Sequence, residues 1–409
     1  MLSIYSLMLG MYLFILFIDF SMWRSFSTPL FLSAFPIIFL LILNKVYAHD
    51  LGFYTIDNLQ FYISLLLAFA SILIASLFVY IIGKNVHHDS KAVYSKVYNW
   101  KQIKHAKQFI SFAIVLKTIQ VILLYLSGVS FFQMKEYLGS GLSGLTNELM
   151  ILSIVLIYGT AIKLNFKYYI LLLLAFIPLF LYGTRGWMLI SIIAAIMFRG
   201  YYLRIWPNKI LIISAPILGI LFMMFTYIFK NAAGDVEASY SEIFTHVMGY
   251  FVAGIQGGNQ LIGSMYDKQP YFEMSFSGLI NLSKFILGNN NYVSNVGPNY
   301  FDTNYITPSV TNVSTAFGTL FHGLGKYFAS LYIFIIFLFL YILFLFKNKI
   351  KNIFFLIYYC VIVAGVALSF FEYYLGLLFY FTSILQLFFI YLYTLIASNA
   401  SKKFNFNKV

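Results

Sequence analysis

The chain has 409 residues, of which 61% are hydrophobic and only 10% charged, and its net charge is +13. A soluble globular protein averages about 25% charged residues, so this composition excludes an ordinary water-soluble domain and points to a membrane. The basic excess does not mark a nucleic-acid binder, because the Lys and Arg are spread through short loops between apolar runs.

A helix needs roughly 20 apolar residues to cross a hydrocarbon core of about 30 Å. Runs of this kind fall at 2–20, 29–48, 59–83, 109–129, 148–165, 168–184, 186–203, 208–229, 327–346, 353–371 and 374–397. They predict an all-α, polytopic transmembrane helical bundle of about eleven spans. The first run has no basic start and no small-residue cleavage pattern, so it reads as a span and not a removable leader. Basic residues concentrate on one side: Arg24, Lys84 to Lys107, Lys163 and Lys167, Arg199 to Lys209, Lys347 to Lys351, and Lys402 to Lys408. Of the 13 acidic residues only Asp19 and Asp89 share that side. By the positive-inside bias the N-terminus lies outside and the C-terminus in the cytoplasm.

The basic loop 84–107 carries His87, His88 and His105, but only Asp89 could join them as a ligand, so it reads as a solvated membrane-surface segment. No metal and no cofactor is expected. Cys360 sits in an apolar span and reads as packing. Trp23, Trp100, Trp187 and Trp206 lie at span ends or in a loop, as interfacial anchors do.

The organising feature is the hydrophilic segment 230–325, the longest connection on the outer side. The expected division is therefore 1–229, an N-terminal bundle; 230–325, a large extracytoplasmic loop containing short helices; and 326–409, a C-terminal bundle. Ile243 to Ile262 is apolar enough for a short span, yet Gly249, Gly254, Gly257 and Gly258 weaken it as a helix. Were it to cross, the later basic loops would move outside, so a re-entrant or interfacial helix is expected. A second helix is expected over Phe276 to Leu287, and irregular loop over Gly288 to Thr307.

Ionisable groups within spans are costly and are functional candidates by default. Arg185, in Gly183-Thr184-Arg185-Gly186, has the fork geometry that holds a phosphate or pyrophosphate. An Arg snorkelling to the interface is the plainer alternative. Lys117 lies deep in its span, with Glu148 and Glu372 at outer span ends as partners for an ion pair or a site. Within the long segment, His246, His322, Glu242 and Asp302 are candidate bases, a solvated or hydrogen-bonded role at the membrane surface being the alternative for the two histidines. Lys230 and Lys326 bracket it, where they would face an anionic headgroup. Tyr250, Tyr300 and Tyr305, among Asn and Asp, suit a sugar surface. No phosphate-binding glycine loop, His-Glu-x-x-His or Gly-x-Ser-x-Gly occurs.

The layout resembles the Wzy-type O-antigen or oligosaccharide repeat-unit polymerases. The likeness rests on Gly183-Thr184-Arg185-Gly186, on His246 to Ile262, and on Thr311 to Tyr327 with Asn312-Val313-Ser314-Thr315-Ala316-Phe317-Gly318. One departure matters: the long segment contains no Arg, so a pair of arginine-bearing loop motifs has no counterpart here. The resemblance implies a glycosyltransferase of the bacterial inner membrane, working in polysaccharide and lipopolysaccharide biosynthesis. Its donor and acceptor would be undecaprenyl-pyrophosphate-linked glycans, with membrane lipids, a chain-length regulator and a flippase as partners. Under it Arg185, with Lys230 or Lys326, would hold the leaving pyrophosphate, and His246 would act as base with His322, Glu242 and Asp302 as rivals. An O-antigen ligase is the nearest alternative, and a lipid-linked oligosaccharide flippase or transporter the alternative from another class.

Overall fold

Long runs rich in Leu, Ile and Phe leave the backbone one way to satisfy its own N–H and C=O groups in hydrocarbon, which is the helix, even where Pro36 and Pro178 interrupt it. In the computed structural model fourteen α-helices and no strands occur among the described residues, which are 2–48, 55–87, 100–130, 133–139, 141–182, 185–207, 221, 224–225, 228, 239–265, 267–289, 291–293, 314–347 and 352–406. The helices are α1 (Leu2–Trp23), α2 (Pro29–Tyr47), α3 (Leu59–His87), α4 (Trp100–Leu126), α5 (Met134–Gly139), α6 (Gly141–Thr160), α7 (Phe166–Tyr182) and α8 (Arg185–Leu203). There follow α9 (Tyr240–Leu261), α10 (Gln269–Ser275), α11 (Ser277–Ile286), α12 (Ala316–Phe346), α13 (Ile353–Ala367) and α14 (Phe379–Phe406). Eight of them, α1 to α4, α6, α8, α12 and α14, are long and apolar enough to span a membrane. Helices α7 and α13 are apolar but shorter. Most of the expected run 208–229 lies outside the described residues.

The chain divides into two units, each assembled from separate stretches. Unit 1 holds Met1–Asn85, Asn208–Phe344 and Val366–Leu377. Unit 2 holds Val86–Pro207, Leu345–Gly365 and Leu378–Val409.

In unit 1, Thr28 caps α2 by accepting the Phe31 amide at 3.2 Å, and Pro29 opens the helix. Its polar centre is Asp19 on α1, which is 0% exposed. Its carboxylate accepts hydroxyls from Thr28 at 2.5 Å, Ser76 at 2.6 Å and Tyr341 at 2.7 Å. The Trp23 indole donates to the same Ser76 hydroxyl at 2.8 Å. Trp23 is thus buried inside the unit, contrary to the interfacial role expected from its position at a span end.

In unit 2, α6 touches α4, α5, α7, α8 and α14. Gly159 allows the Phe198 ring to lie against its backbone. The Arg199 guanidinium donates to the carbonyls of Tyr158 at 3.0 Å, Ala161 at 2.5 Å and Ile162 at 3.3 Å. It thereby closes the C-terminal end of α6, whose last carbonyls have no intrahelical donors.

Candidate functional site

Three segments converge in unit 1: α9, the start of α12, and the turn 368–377. Gly254 of α9 lies so close to Phe370 and Phe371 that a Cβ there would stand 2.2 Å from the Phe370 carbonyl oxygen. One turn on, a Cβ on Gly318 of α12 would stand 2.6 Å from the Cα of Gly258. The Thr315 amide donates to the Gly254 carbonyl, and the Ala316 amide to the Ser369 carbonyl, both at 2.8 Å. The helix expected over 243–262 forms, and the glycines that would weaken it in isolation let α9 approach the neighbouring backbones; Val247, Ile255 and Leu261 are fully buried along it.

Glu242, His246 and Tyr250 occupy successive turns of α9 ahead of Gly254. His322, on α12, is only 4% exposed and its ring stands edge-on to Tyr271 at 4.9 Å. Glu372 follows the Phe370–Phe371 contact in the turn before the 3-10 turn Tyr374–Gly376. It is partly buried, and desolvation pushes its carboxyl up to about 7, with a hydrogen bond from Tyr374 working in the opposite direction.

Beside these residues α12 breaks its regular path at Gly325, whose φ of 73° is left-handed. The expected span at 327 therefore begins as a longer helix at Ala316, and Lys326 lies exposed just past the break. A cavity of about 470 Å³ opens between α10 and α12, lined mainly by Phe272, Phe276, Leu324, Phe328, Leu331 and Tyr332. Exposed Lys268 stands one helical turn before Phe272. The adjoining α11 is built inside out for water. It buries Ser277, Gly278 and Asn281, with Ser277 bonded to the Gly376 carbonyl, and exposes Leu279, Ile286 and Leu287. An outward apolar face of this kind is stable against lipid.

In unit 2, Arg185 is the first residue of α8. Lys117 and Glu148 are both nearly enclosed, at 2% and 7% exposure. They do not form the ion pair that their positions suggested. The Lys117 ammonium donates to the Ser143 carbonyl at 2.8 Å, the Ser143 hydroxyl at 3.0 Å and the Thr146 hydroxyl at 3.1 Å. Glu148 accepts from Thr382 and Gln386. Glu148 also lies two turns inside α6, because that helix starts at Gly141, ahead of the span end expected at 148. Among the described residues no three His, Cys, Asp or Glu side chains gather as a metal-ligand group. Lys230, Tyr300, Asp302 and Tyr305 lie outside the described residues.

A model for a family of unknown function, DUF6337, matches residues 53–404. The chain belongs to the DUF6337 family. No curated protein and no solved structure matches it. The DUF6337 match takes in Lys117, Glu148, Arg185, α9, His322 and Glu372, and starts after Asp19. Sequence reasoning on this DUF6337 chain passed over Asp19, Asn147, Lys268, Thr382 and Gln386. Lys268 was signalled by its four-residue spacing to Phe272 and Phe276, and Asp19 by being a carboxylate inside an apolar run. Thr382 and Gln386 carried no signal of their own, since uncharged polar residues are ordinary in membrane helices.

Proposed function

We propose that this DUF6337 protein is a glycosyltransferase of the bacterial inner membrane that joins undecaprenyl-pyrophosphate-linked oligosaccharide units into a surface polysaccharide. The observation that carries the reading is the aromatic-lined cavity of unit 1, with exposed Lys268 one helical turn before Phe272 of its wall and exposed Lys326 next to the break in α12. A hydrocarbon slot beside exposed cations matches the chemistry of a lipid that ends in an anionic phosphate. The resemblance to repeat-unit polymerases and the long segment before α12 point the same way.

In the reaction, a hydroxyl oxygen of the acceptor sugar bonds to the anomeric carbon of the donor glycan as the carbon–pyrophosphate oxygen bond breaks. The leaving group is undecaprenyl pyrophosphate, and the hydroxyl proton passes to a base. His246, on α9, is the residue we assign as base, since His322 is nearly enclosed against Tyr271. Lysines and Arg185 are the groups suited to the charge that develops on the pyrophosphate.

A deletion strain tests the class of reaction. Loss of a polymerase leaves a single repeat unit on the lipid acceptor, loss of a ligase leaves none, and loss of a flippase leaves undecaprenyl-linked units on the cytoplasmic face. Normal long-chain polysaccharide in the deletion strain would refute the proposal.

A further inference from the structure

Around Glu148 the interior of unit 2 holds acceptor oxygens that no described residue serves. Thr382 Oγ1 at 2.6 Å and Gln386 Nε2 at 3.3 Å both donate to Oε2 of Glu148, and no described residue donates to Oε1. Gln386 Nε2 donates as well to the Leu145 carbonyl at 3.1 Å. Both neighbours of that amide nitrogen are acceptors, which fixes the orientation of the amide and leaves Oε1 of Gln386 buried with no partner among the described residues. Asn147, next to Glu148 and 0% exposed, has no partner there for either amide atom. Buried polar groups left unmade cost free energy and call for a bound species.

Lys117 does not supply it. Its three N–H groups are accounted for by Ser143 and Thr146, leaving none for Glu148. A proton on Glu148 would serve one of the open oxygens and leave the others unmet. A divalent ion would replace one negative charge by an excess positive one inside a span, which is as costly as what it cures. One monovalent cation neutralises the single carboxylate and satisfies several oxygens at once.

We propose that Glu148, Gln386 and Thr382 form a binding site for a monovalent alkali cation between α6 and α14. The carboxylate supplies the charge, and the amide and hydroxyl oxygens replace water around the ion, as oxygen ligands do in membrane ion sites.

The test uses the purified full-length protein in lipid nanodiscs and the ions alone, with no glycan, so its failure leaves the polymerase proposal untouched. Thermal unfolding midpoints are compared in sodium, potassium and choline chloride at equal ionic strength, together with equilibrium binding of radioactive sodium. The expected result is a saturable rise of about 2–4 °C with one or both alkali ions over choline. Glu148→Gln, which keeps the shape and removes the charge, abolishes the rise. Gln386→Met keeps the carboxylate and raises the half-saturating concentration about tenfold, so the site stays testable if the first variant folds poorly. Equal midpoints in alkali and choline chloride overturn the proposal, as does a full rise retained by Glu148→Gln. A midpoint that follows pH in choline but ignores alkali ions shows that the carboxylate takes only a proton, and overturns it too.

Discussion

At the scale of single residues, two carboxylates of unit 1 are accommodated in different ways. Asp19 survives through donors: three hydroxyls reach its two oxygens, from α3, α12 and the cap of α2. It ties unit 1 together, and its removal leaves the donors stranded at about 1–3 kcal/mol for each. Asp19→Leu should therefore lower the thermal midpoint of the protein in detergent markedly, with Tyr341→Phe, which removes one donor only, falling between it and wild type. A midpoint unchanged by Asp19→Leu would show that the network does not hold the unit. Glu372 survives by staying neutral. Its carboxyl stands near 7, above the ordinary value of 4.5, so the neutral form is the one the folded protein prefers. The sign of the linkage follows: the stability it contributes is complete below about 4.5 and is lost as pH rises through about 7. Wild type should thus melt progressively lower across that window, whereas Glu372→Gln, neutral throughout, should trace a flatter line. Parallel curves would refute the assignment.

At the scale of elements, α9 shows how a composition that weakens an isolated helix strengthens a packed one. Helix propensity charges about 1 kcal/mol for each Gly against Ala, a cost set by the unfolded chain. Packing repays it at Gly254, where a side chain would drive into the backbone of Phe370 and Phe371, and at Gly258, where it would meet the Phe61 ring and the Thr315 hydroxyl. Gly254→Leu is expected to lose at least the roughly 1–3 kcal/mol typical of overpacking, because backbone cannot rotate away as a side chain can. Gly10, with open space around it, serves as the control, and Gly10→Leu should melt close to wild type. Comparable losses in the two variants would remove the argument from close approach. Helix α11 makes the complementary point. Its apolar stripe is legible from periodicity, but which way the stripe faces is not, and here it faces outward.

At the scale of the whole molecule, chain order and packing disagree. A division at 229 and 325 follows the hydropathy, yet unit 1 gathers the first three helices with α9 to α11, most of α12 and the turn 366–377. Arg185 belongs to unit 2, whereas His246, His322, Lys326 and Glu372 belong to unit 1. The functional prediction for Arg185 therefore concerns activity of the intact chain. Arg185→Ala, produced at normal abundance, should abolish long-chain polysaccharide and leave single capped units, read from the length distribution on a gel. Unchanged chain length would remove Arg185 from the reaction.

Composition and periodicity determined that this is an all-helical membrane protein and located most of its apolar helices, because crossing hydrocarbon imposes a length and a polarity on each segment separately. The helices α9 and α11 inside the hydrophilic segment were legible from their own apolar runs. Their partners were not. That Lys117 bonds Ser143 and Thr146 while Glu148 bonds Thr382 and Gln386, and that Asp19 gathers hydroxyls from three helices, depends on pairings between residues far apart in the chain. In a membrane every span presents much the same apolar surface, so hydropathy cannot say which helix packs on which. That choice falls to small residues that admit close approach and to polar groups that find one another, and only the tertiary structure decides it.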